Sequence, residues 1–119
     1  MKIIIKTKNL ELTDSLESLV NKRMAGLEKF ANVLGGASSS LFVEVEKETQ
    51  HHKKGDIFTA EVLIQLPGKN LMAKSSSDSL IKSITMVRDE LKIEIRKHKT
   101  KTIEIPRRRY RKNLYKTQN

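Results

Sequence analysis

The stretch from residue 58 to residue 73, FTAEVLIQLPGKNLMA, decides the kind of fold that this chain adopts. Apolar residues occupy every second position of its first nine residues, which is the period of a strand with one buried face. Pro67 and Gly68 then predict a tight connection, because Pro restricts φ and Gly tolerates positive φ. Leu71 and Ala73 resume the alternation, so two consecutive strands are predicted.

Two more strands are predicted towards the N-terminus. Residues 41–46 alternate between apolar and polar or aromatic side chains, and residues 2–7 contain three isoleucines between lysines. Residues 47–56 are polar and are predicted to form a loop.

Two segments have helical periodicity instead. Thr13 offers a hydroxyl N-cap to a helix over residues 14–34, which Gly35-Gly36 ends before a linker at 37–40. The run from Ser75 to Asp78 offers several caps to a second helix that continues to about Lys99. The apolar positions of this second helix are Leu80, Ile84, Val87, Leu91 and Ile95.

The element order β-α-β-β-β-α predicts an α+β fold with two helices packed on one face of a four-stranded sheet. Residues 1–99 hold all of these elements and are predicted to form one domain. Residues 100–119 contain few apolar side chains and are predicted to be a basic, disordered tail. The uncovered sheet face is predicted to be acidic, with Glu44, Glu46, Glu48, Glu61 and Gln65.

The charge balance points to a polyanionic partner. The 119 residues include 24 Lys and Arg against 14 Asp and Glu, a net charge of +10. Seven basic residues and one acid in residues 100–119 give that segment +6 of the total. Nucleic acid is the commonest partner of such a chain, and an anionic membrane surface is the next. No apolar run is long enough to cross a bilayer, so a soluble, cytoplasmic protein is predicted.

The candidate RNA-binding residues are basic side chains of both helices and of the tail. On a helical wheel, several basic side chains of the second helix lie beside its apolar stripe. Arg23 lies within the apolar arc of the first helix, where packing of its stem is the simpler reading and RNA contact the alternative. For the other basic residues of the helices, the alternative to RNA binding is a face that is simply exposed to solvent. The candidates are Lys22, Arg23, Lys29, Lys82, Arg88, Lys92, Arg96, Lys97, Lys99, Lys101, Arg107, Arg108, Arg109, Tyr110, Arg111 and Lys112.

Catalytic and metal sites are not predicted. His51-His52 has no nearby cysteine or cluster of acids and is read as polar loop. The serine run has no partnered histidine, no glycine-rich phosphate loop occurs, and the absence of cysteine excludes disulfides and thiolate chemistry. The sequence therefore predicts neither an enzyme nor a bound cofactor.

Three groups of residues, taken with their spacing, are similar to one known family. In the first helix they are Thr13, Val20, Arg23, Ala25 and Leu27 to Phe30. In the third and fourth strands they are Phe58, Ala60, Ile64, Pro67-Gly68, Leu71 and Ala73. In the last helix they are Ile84, Leu91, Lys97 and Lys99. Over nearly all of residues 1–99 the chain thus resembles the short form of the bacterial ribosome hibernation-promoting factors, also called ribosome-associated inhibitors or subunit-interface proteins.

This resemblance implies a non-enzymatic function. Family members bind the small ribosomal subunit where mRNA and tRNA normally lie, through basic helix surfaces that contact ribosomal RNA. The chain is therefore expected to block initiation and to preserve idle ribosomes. The resemblance implies no membrane or small-molecule partner, and the oligomeric state stays open, with a monomer favoured.

The chain departs from the family pattern in its helices. Ser79, Leu80 and Ile81 replace the usual acid, Met and Tyr, and Gly26 replaces a lysine. Two basic positions of the last helix are Glu90 and Ile93, whereas Arg88, Lys92 and Arg96 supply charge elsewhere on it. The individual contacts are therefore expected to differ from those of the family.

Three other functions compete with ribosome binding. A general RNA-binding protein, RNA chaperone or double-stranded RNA binder would use a similar helix-on-sheet layout. An enzyme is the second alternative, but the sequence contains no recognisable catalytic site. Binding to a membrane surface is the third, and the low apolar content of the tail argues against it.

Overall fold

In the computed structural model, a two-residue turn at Pro67-Gly68 joins two antiparallel strands of a four-stranded sheet. Gly68 has a φ of +78°, the conformation that the third residue of a type II turn requires and that glycine adopts without strain. The structure describes residues 2–33, 40–49, 55–101 and 105–117. The strands are β1 (Lys2–Lys8), β2 (Ser40–Thr49), β3 (Asp56–Leu66) and β4 (Lys69–Ser77), and the helices are α1 (Asp14–Met24), α2 (Leu27–Val33), α3 (Leu80–Lys99) and α4 (Ile105–Thr117).

The sheet has the strand order β1-β2-β3-β4. β1 pairs in parallel with β2, placing Ile3 opposite Leu41, while the β2–β3 and β3–β4 pairs are antiparallel. The connection from β1 to β2 runs through α1 and α2, which cover one face of the sheet together with α3.

A single hydrophobic core fills the space between the sheet and these helices. The helices contribute Val20, Met24, Leu27, Ile84 and Leu91, all fully buried. Burial of each such side chain contributes about 1.5–3 kcal/mol to folding, so the core holds the helices in place on the sheet. The strand residues of the core are Leu41, Val43, Val45, Ala60, Val62, Ile64, Leu66, Leu71 and Ala73. The predicted α+β order is thereby confirmed.

The first helical segment is divided, where the sequence predicts one helix over residues 14–34. Thr13 caps α1 as predicted, its hydroxyl accepting a hydrogen bond from the Leu16 amide at 3.2 Å. α1 ends at Met24, and α2 begins at Leu27. Gly26 lies at the break, where its low helix propensity interrupts the run of helical hydrogen bonds. Residues 34–39, including most of the predicted linker, lie outside the described part of the chain, and Ser40, predicted as the last linker residue, begins β2.

The strands extend beyond their predicted ends. Residues 47–49 belong to β2 rather than to a loop, and 50–54 lie outside the described residues. The serine run is strand as well, because Ser77 pairs with Phe58 across the sheet. Ser79 therefore caps α3 instead, its hydroxyl accepting from the Lys82 amide at 3.3 Å.

The tail also differs from its prediction. Residues 105–117 form the helix α4 instead of a disordered segment. Arg, Lys and Leu are good helix formers, and Pro106 stands in the first turn, where its missing N–H costs no hydrogen bond. The side chains from Pro106 to Arg111 are all exposed, so this part of α4 lies outside the hydrophobic core.

Candidate nucleic-acid interface

Six of the predicted basic residues lie on α3. Val87, Leu91 and Ile95 anchor its buried stripe in the core, which fixes the rotation of the helix about its axis. Arg88, Lys92 and Lys99 lie at the edge of the stripe and are half-buried, whereas Lys82, Arg96 and Lys97 are exposed. The last turn carries Arg96, Lys97, His98 and Lys99, where cations interact favourably with the helix dipole.

The cations of α3 are held in two different ways. Arg88 donates from Nε and Nη2 to the Asp89 carboxylate at 3.0 and 2.9 Å, and Lys97 Nζ lies 3.6 Å from Glu94 Oε1. These two cations are thus partly neutralised by acids of their own helix. In the described ranges, no carboxylate lies within ion-pair distance of Lys92 or Arg96.

Lys92 and Arg96 instead meet the aromatic ring of Phe30 on α2. Lys92 Nζ is 5.1 Å from the ring centroid, and Arg96 Cζ is 5.4 Å from it. Both distances fall within the range of cation–π attraction. Residues 92 and 96 are one helical turn apart, so the ring brings both cations to one point of the surface.

Phe30 is the site residue that the sequence did not single out. Its spacing marks it as a member of the apolar stripe, and it does pack against the core while staying half-buried. No feature of the sequence shows that its ring also faces α3, because that depends on how α2 crosses α3. The signal that the sequence does offer is an aromatic residue near the end of the amphipathic stripe of the first helical segment.

The remaining predicted residues of the first helical segment differ in their exposure. Lys22 on α1 and Lys29 on α2 are exposed. Arg23 is half-buried, and its Nε is buried without a hydrogen-bond partner among the described residues. Burial makes this Nε inaccessible to a ligand in this arrangement, and a contact between Arg23 and RNA stays a prediction.

On α4 the basic side chains point in several directions. Arg107, Tyr110 and Arg111 are spaced three and four residues apart and line one shallow groove. Tyr110 is 66% exposed there between two guanidinium groups. Lys101, Arg108 and Arg109 are exposed as well, and the side chain of Lys112 lies outside the described residues.

The uncovered sheet face is not the acidic surface that the sequence predicts. Lys6 of β1 lies opposite Glu44, and Lys74 of β4 lies opposite Glu61. Lys8 Nζ also lies 3.7 Å from Glu46 Oε1. The acids of the central strands are therefore offset by lysines of both edge strands. The next cross-strand row on this face is apolar and consists of Ile4, Phe42, Leu63 and Met72.

Within the described ranges, no three His, Asp or Glu side chains come together as a metal site would require. His51 and His52 lie outside those ranges. None of the helices in the described part of the chain is long and apolar enough to cross a membrane.

Residues 3–103 match the model of the family described as sigma 54 modulation protein / S30EA ribosomal protein. A ribosome hibernation promoting factor from Acinetobacter guillouiae is 26% identical over 99 residues, covering 83% of this chain and 88% of the relative. A ribosome hibernation promotion factor from Lactococcus lactis is 30% identical over 109 residues. That match covers 90% of this chain but only 54% of the relative, so the chain spans about half of that protein's length.

Two solved structures share the fold. A ribosomal subunit interface protein from Coxiella burnetii superposes with a TM-score of 0.67 at 16% identity, over 84% of this chain and 99% of that one. The N-terminal domain of Thermus thermophilus Protein Y superposes with a TM-score of 0.63 at 22% identity, over 82% and 99% of the two chains.

Proposed function

The chain belongs to the sigma 54 modulation protein / S30EA ribosomal protein family, and from that premise we propose that it is a ribosome-binding hibernation factor. It binds the small subunit through ribosomal RNA, occupies the region of mRNA and tRNA, inhibits initiation and preserves idle ribosomes. Its place of action is the cytoplasm, and its role is non-enzymatic. The family match over residues 3–103, together with relatives named as hibernation factors, is the observation that carries this proposal.

The charge of the helices supports contact with RNA. Arg96 is exposed and Lys92 half-exposed on α3, and none of the ion pairs among the described residues involves either cation. Cations placed in this way neutralise phosphates and release counterions, which gives affinity without reading sequence. A surface of that kind suits ribosomal RNA, which is bound by its shape and its backbone.

Sedimentation with ribosomes tests the proposal. We expect the purified protein to co-sediment with small subunits and to lower the yield of a purified translation system that depends on initiation. Unaffected initiation at saturating protein would contradict the inhibitor function. Equal affinity for free duplex RNA and for ribosomes would favour a general RNA-binding protein instead.

The salt dependence of binding tests the helix face directly. With about six to ten phosphate contacts, affinity falls by roughly 10³- to 10⁵-fold between 50 and 200 mM salt. Replacing Lys92 and Arg96 together by Ala should flatten the slope by about two units, since each cation accounts for about one. A matched control replaces Lys6 and Lys74, which lie on the uncovered sheet face, and should leave the slope unchanged. Equal slopes for both double variants would show that the α3 face is only solvated.

A general RNA-binding function is favoured by one feature of α4. Tyr110 lies exposed between Arg107 and Arg111, an arrangement that suits stacking on an unpaired base while the cations hold phosphates. Competition between ribosomes and single-stranded RNA separates the two functions, because a hibernation factor should prefer the ribosome at equal nucleotide concentration.

A further inference from the structure

We propose that Phe30 is a positioning residue of the RNA-binding surface, which holds Lys92 and Arg96 in place without neutralising either cation. The inference rests on the proposed function and adds to it a residue that is itself uncharged. Its basis is the convergence of Lys92 Nζ and Arg96 Cζ on one ring, at 5.1 and 5.4 Å from the centroid.

An aromatic ring and a carboxylate hold a cation with different consequences. A carboxylate accepts hydrogen bonds from the N–H groups and cancels the charge, as Asp89 does for Arg88 on the same helix. A ring attracts the cation through its quadrupole, carries no net charge and accepts no strong hydrogen bond. The N–H donors of Lys92 and Arg96 therefore stay available, and so does their full positive charge.

Holding the two side chains also prepares them for binding. Lys and Arg have long side chains with large rotamer entropy, and immobilising them is one of the costs of forming an interface. Contact with the ring restricts both side chains before RNA arrives, so less freedom is lost when phosphate binds. The smaller loss of side-chain entropy on binding increases the affinity, which is the general effect of preorganisation.

The ring is suited to this task because it is itself fixed. Phe30 is half-buried and packs against the core, and its side chain has only two rotatable bonds. Its uncovered part faces α3, whose rotation is set by the buried Leu91 and Ile95. The core thus determines where the two cations are presented.

The test compares substitutions of Phe30 for their effect on ribosome binding at one salt concentration. Phe30→Leu and Phe30→Met keep an apolar side chain but remove the ring, and each should weaken binding about three- to tenfold. Phe30→Tyr keeps a ring and should retain the affinity of the unsubstituted protein. Phe42→Leu makes the same change on the uncovered sheet face and should have no effect. Full affinity of both ring-less variants would overturn the proposal.

A double-mutant cycle separates positioning from a structural role. Once Lys92 and Arg96 are replaced by Ala, Phe30→Leu should cause no further loss of affinity, because the cations it positions are gone. A loss that stays the same in that background would overturn the proposal and assign the ring to direct RNA contact or to stability. Thermal unfolding of each variant reports the stability contribution independently, and Phe30→Met serves the cycle if Phe30→Leu does not fold.

The experiments also distinguish a failure of the proposed function from a failure of the proposed role of Phe30. If the unsubstituted protein does not bind ribosomes or RNA, the functional proposal is overturned before any variant is compared. In that case the side-chain resonances of Lys92 and Arg96 still report whether the ring restrains them, since Phe30→Leu would remove their ring-current shifts. Unchanged resonances in that variant would show that the ring contact itself is absent.

Discussion

Ser83 lies fully buried at the start of α3, where one hydroxyl connects three elements of the fold. Its Oγ lies 2.7 Å from the carbonyl oxygen of Phe58 on β3 and 3.0 Å from the Ser77 hydroxyl on β4. Ser77 in turn donates to the Ser79 carbonyl at 2.8 Å. A buried hydroxyl is stable only when it is hydrogen-bonded, so this small network fixes the first turn of α3 against the sheet.

We expect Ser83→Ala to lower the free energy of unfolding by about 1–3 kcal/mol, because the Phe58 carbonyl loses the hydrogen bond that the buried Ser83 hydroxyl donates. Ser76→Ala is the matched control, since Ser76 is exposed and, among the described residues, its hydroxyl is hydrogen-bonded only to that of Thr59. The control should stay within about 0.5 kcal/mol of the unsubstituted protein in urea denaturation. Equal losses for the two variants would contradict the structural role of the network.

For single residues of the site, the position on the helix surface could be predicted from the sequence, whereas contacts with neighbouring side chains could not. The edge positions of Lys92 and Arg88 follow from the helical period, as does the half-burial of Arg23. The ring of Phe30 and the pairing of Arg88 with Asp89 were not predictable. Both contacts depend on which neighbour a long basic side chain reaches. Such a side chain has several rotamers of similar energy, and the sequence does not show which of them is adopted.

Among the elements, the break between α1 and α2 shows most directly how one residue changes a helix. The sequence period continues through residues 25 and 26, and an added side-chain carbon at Gly26 would meet no atom within 4 Å. The backbone at Gly26 is therefore open to a residue with a side chain, and the break coincides with the residue of lowest helix propensity in the segment.

Gly26→Ala should raise the free energy of unfolding by about 0.5–1 kcal/mol, because Ala loses less backbone entropy in a helical conformation. The same substitution at Gly68 should have the opposite sign, since a φ of +78° is strained for any residue with a side chain. Chemical denaturation of the two variants measures both effects. A destabilised Gly26→Ala protein would show that the break itself is required for packing.

The basic segment after α3 gives a prediction at the same scale. Deleting residues 100–119 should weaken ribosome binding at least tenfold, about 1.4 kcal/mol, because this segment carries +6 of the net +10. The midpoint of thermal unfolding should hardly change, since the described side chains from Pro106 to Arg111 are exposed. Replacing Arg107, Arg109 and Arg111 by Gln retains the helix-forming chain and tests the charges alone. Undiminished affinity of the truncated protein would leave α1 to α3 as the whole binding surface.

The element order was predictable because the period of the apolar residues differs between strands and helices, and those residues are the ones that become buried in the core. The ends of elements were less predictable. Serine has weak strand propensity, yet residues 75–77 extend β4 because β3 offers them backbone hydrogen bonds. The helix α4 was missed for a related reason: a polar helix shows no apolar stripe, so its period cannot be read from the sequence.

At the scale of the whole molecule, the distribution of charge depends on the order of the strands. The sequence shows acids on β2 and β3 but does not show that lysine-bearing strands flank them on both sides. The order β1-β2-β3-β4 places Lys6 beside Glu44 and Lys74 beside Glu61, so this face is balanced. The net positive charge of the protein therefore lies mainly on α3 and on the segment that follows it.

The parallel pairing of β1 with β2 has a consequence for the time course of folding. Lys2 pairs with Ser40, 38 residues away, whereas Leu66 and Lys69 are joined by a two-residue turn. Closing the longer loop costs more entropy, so we expect β3 and β4 to pair first and β1 to join last. Pulsed hydrogen exchange during refolding should therefore protect the amides of Val62 and Leu71 before that of Ile5. A nascent chain would accordingly keep its first strand unpaired until β2 has been synthesised, and its isoleucines would stay accessible to chaperones for all of that time.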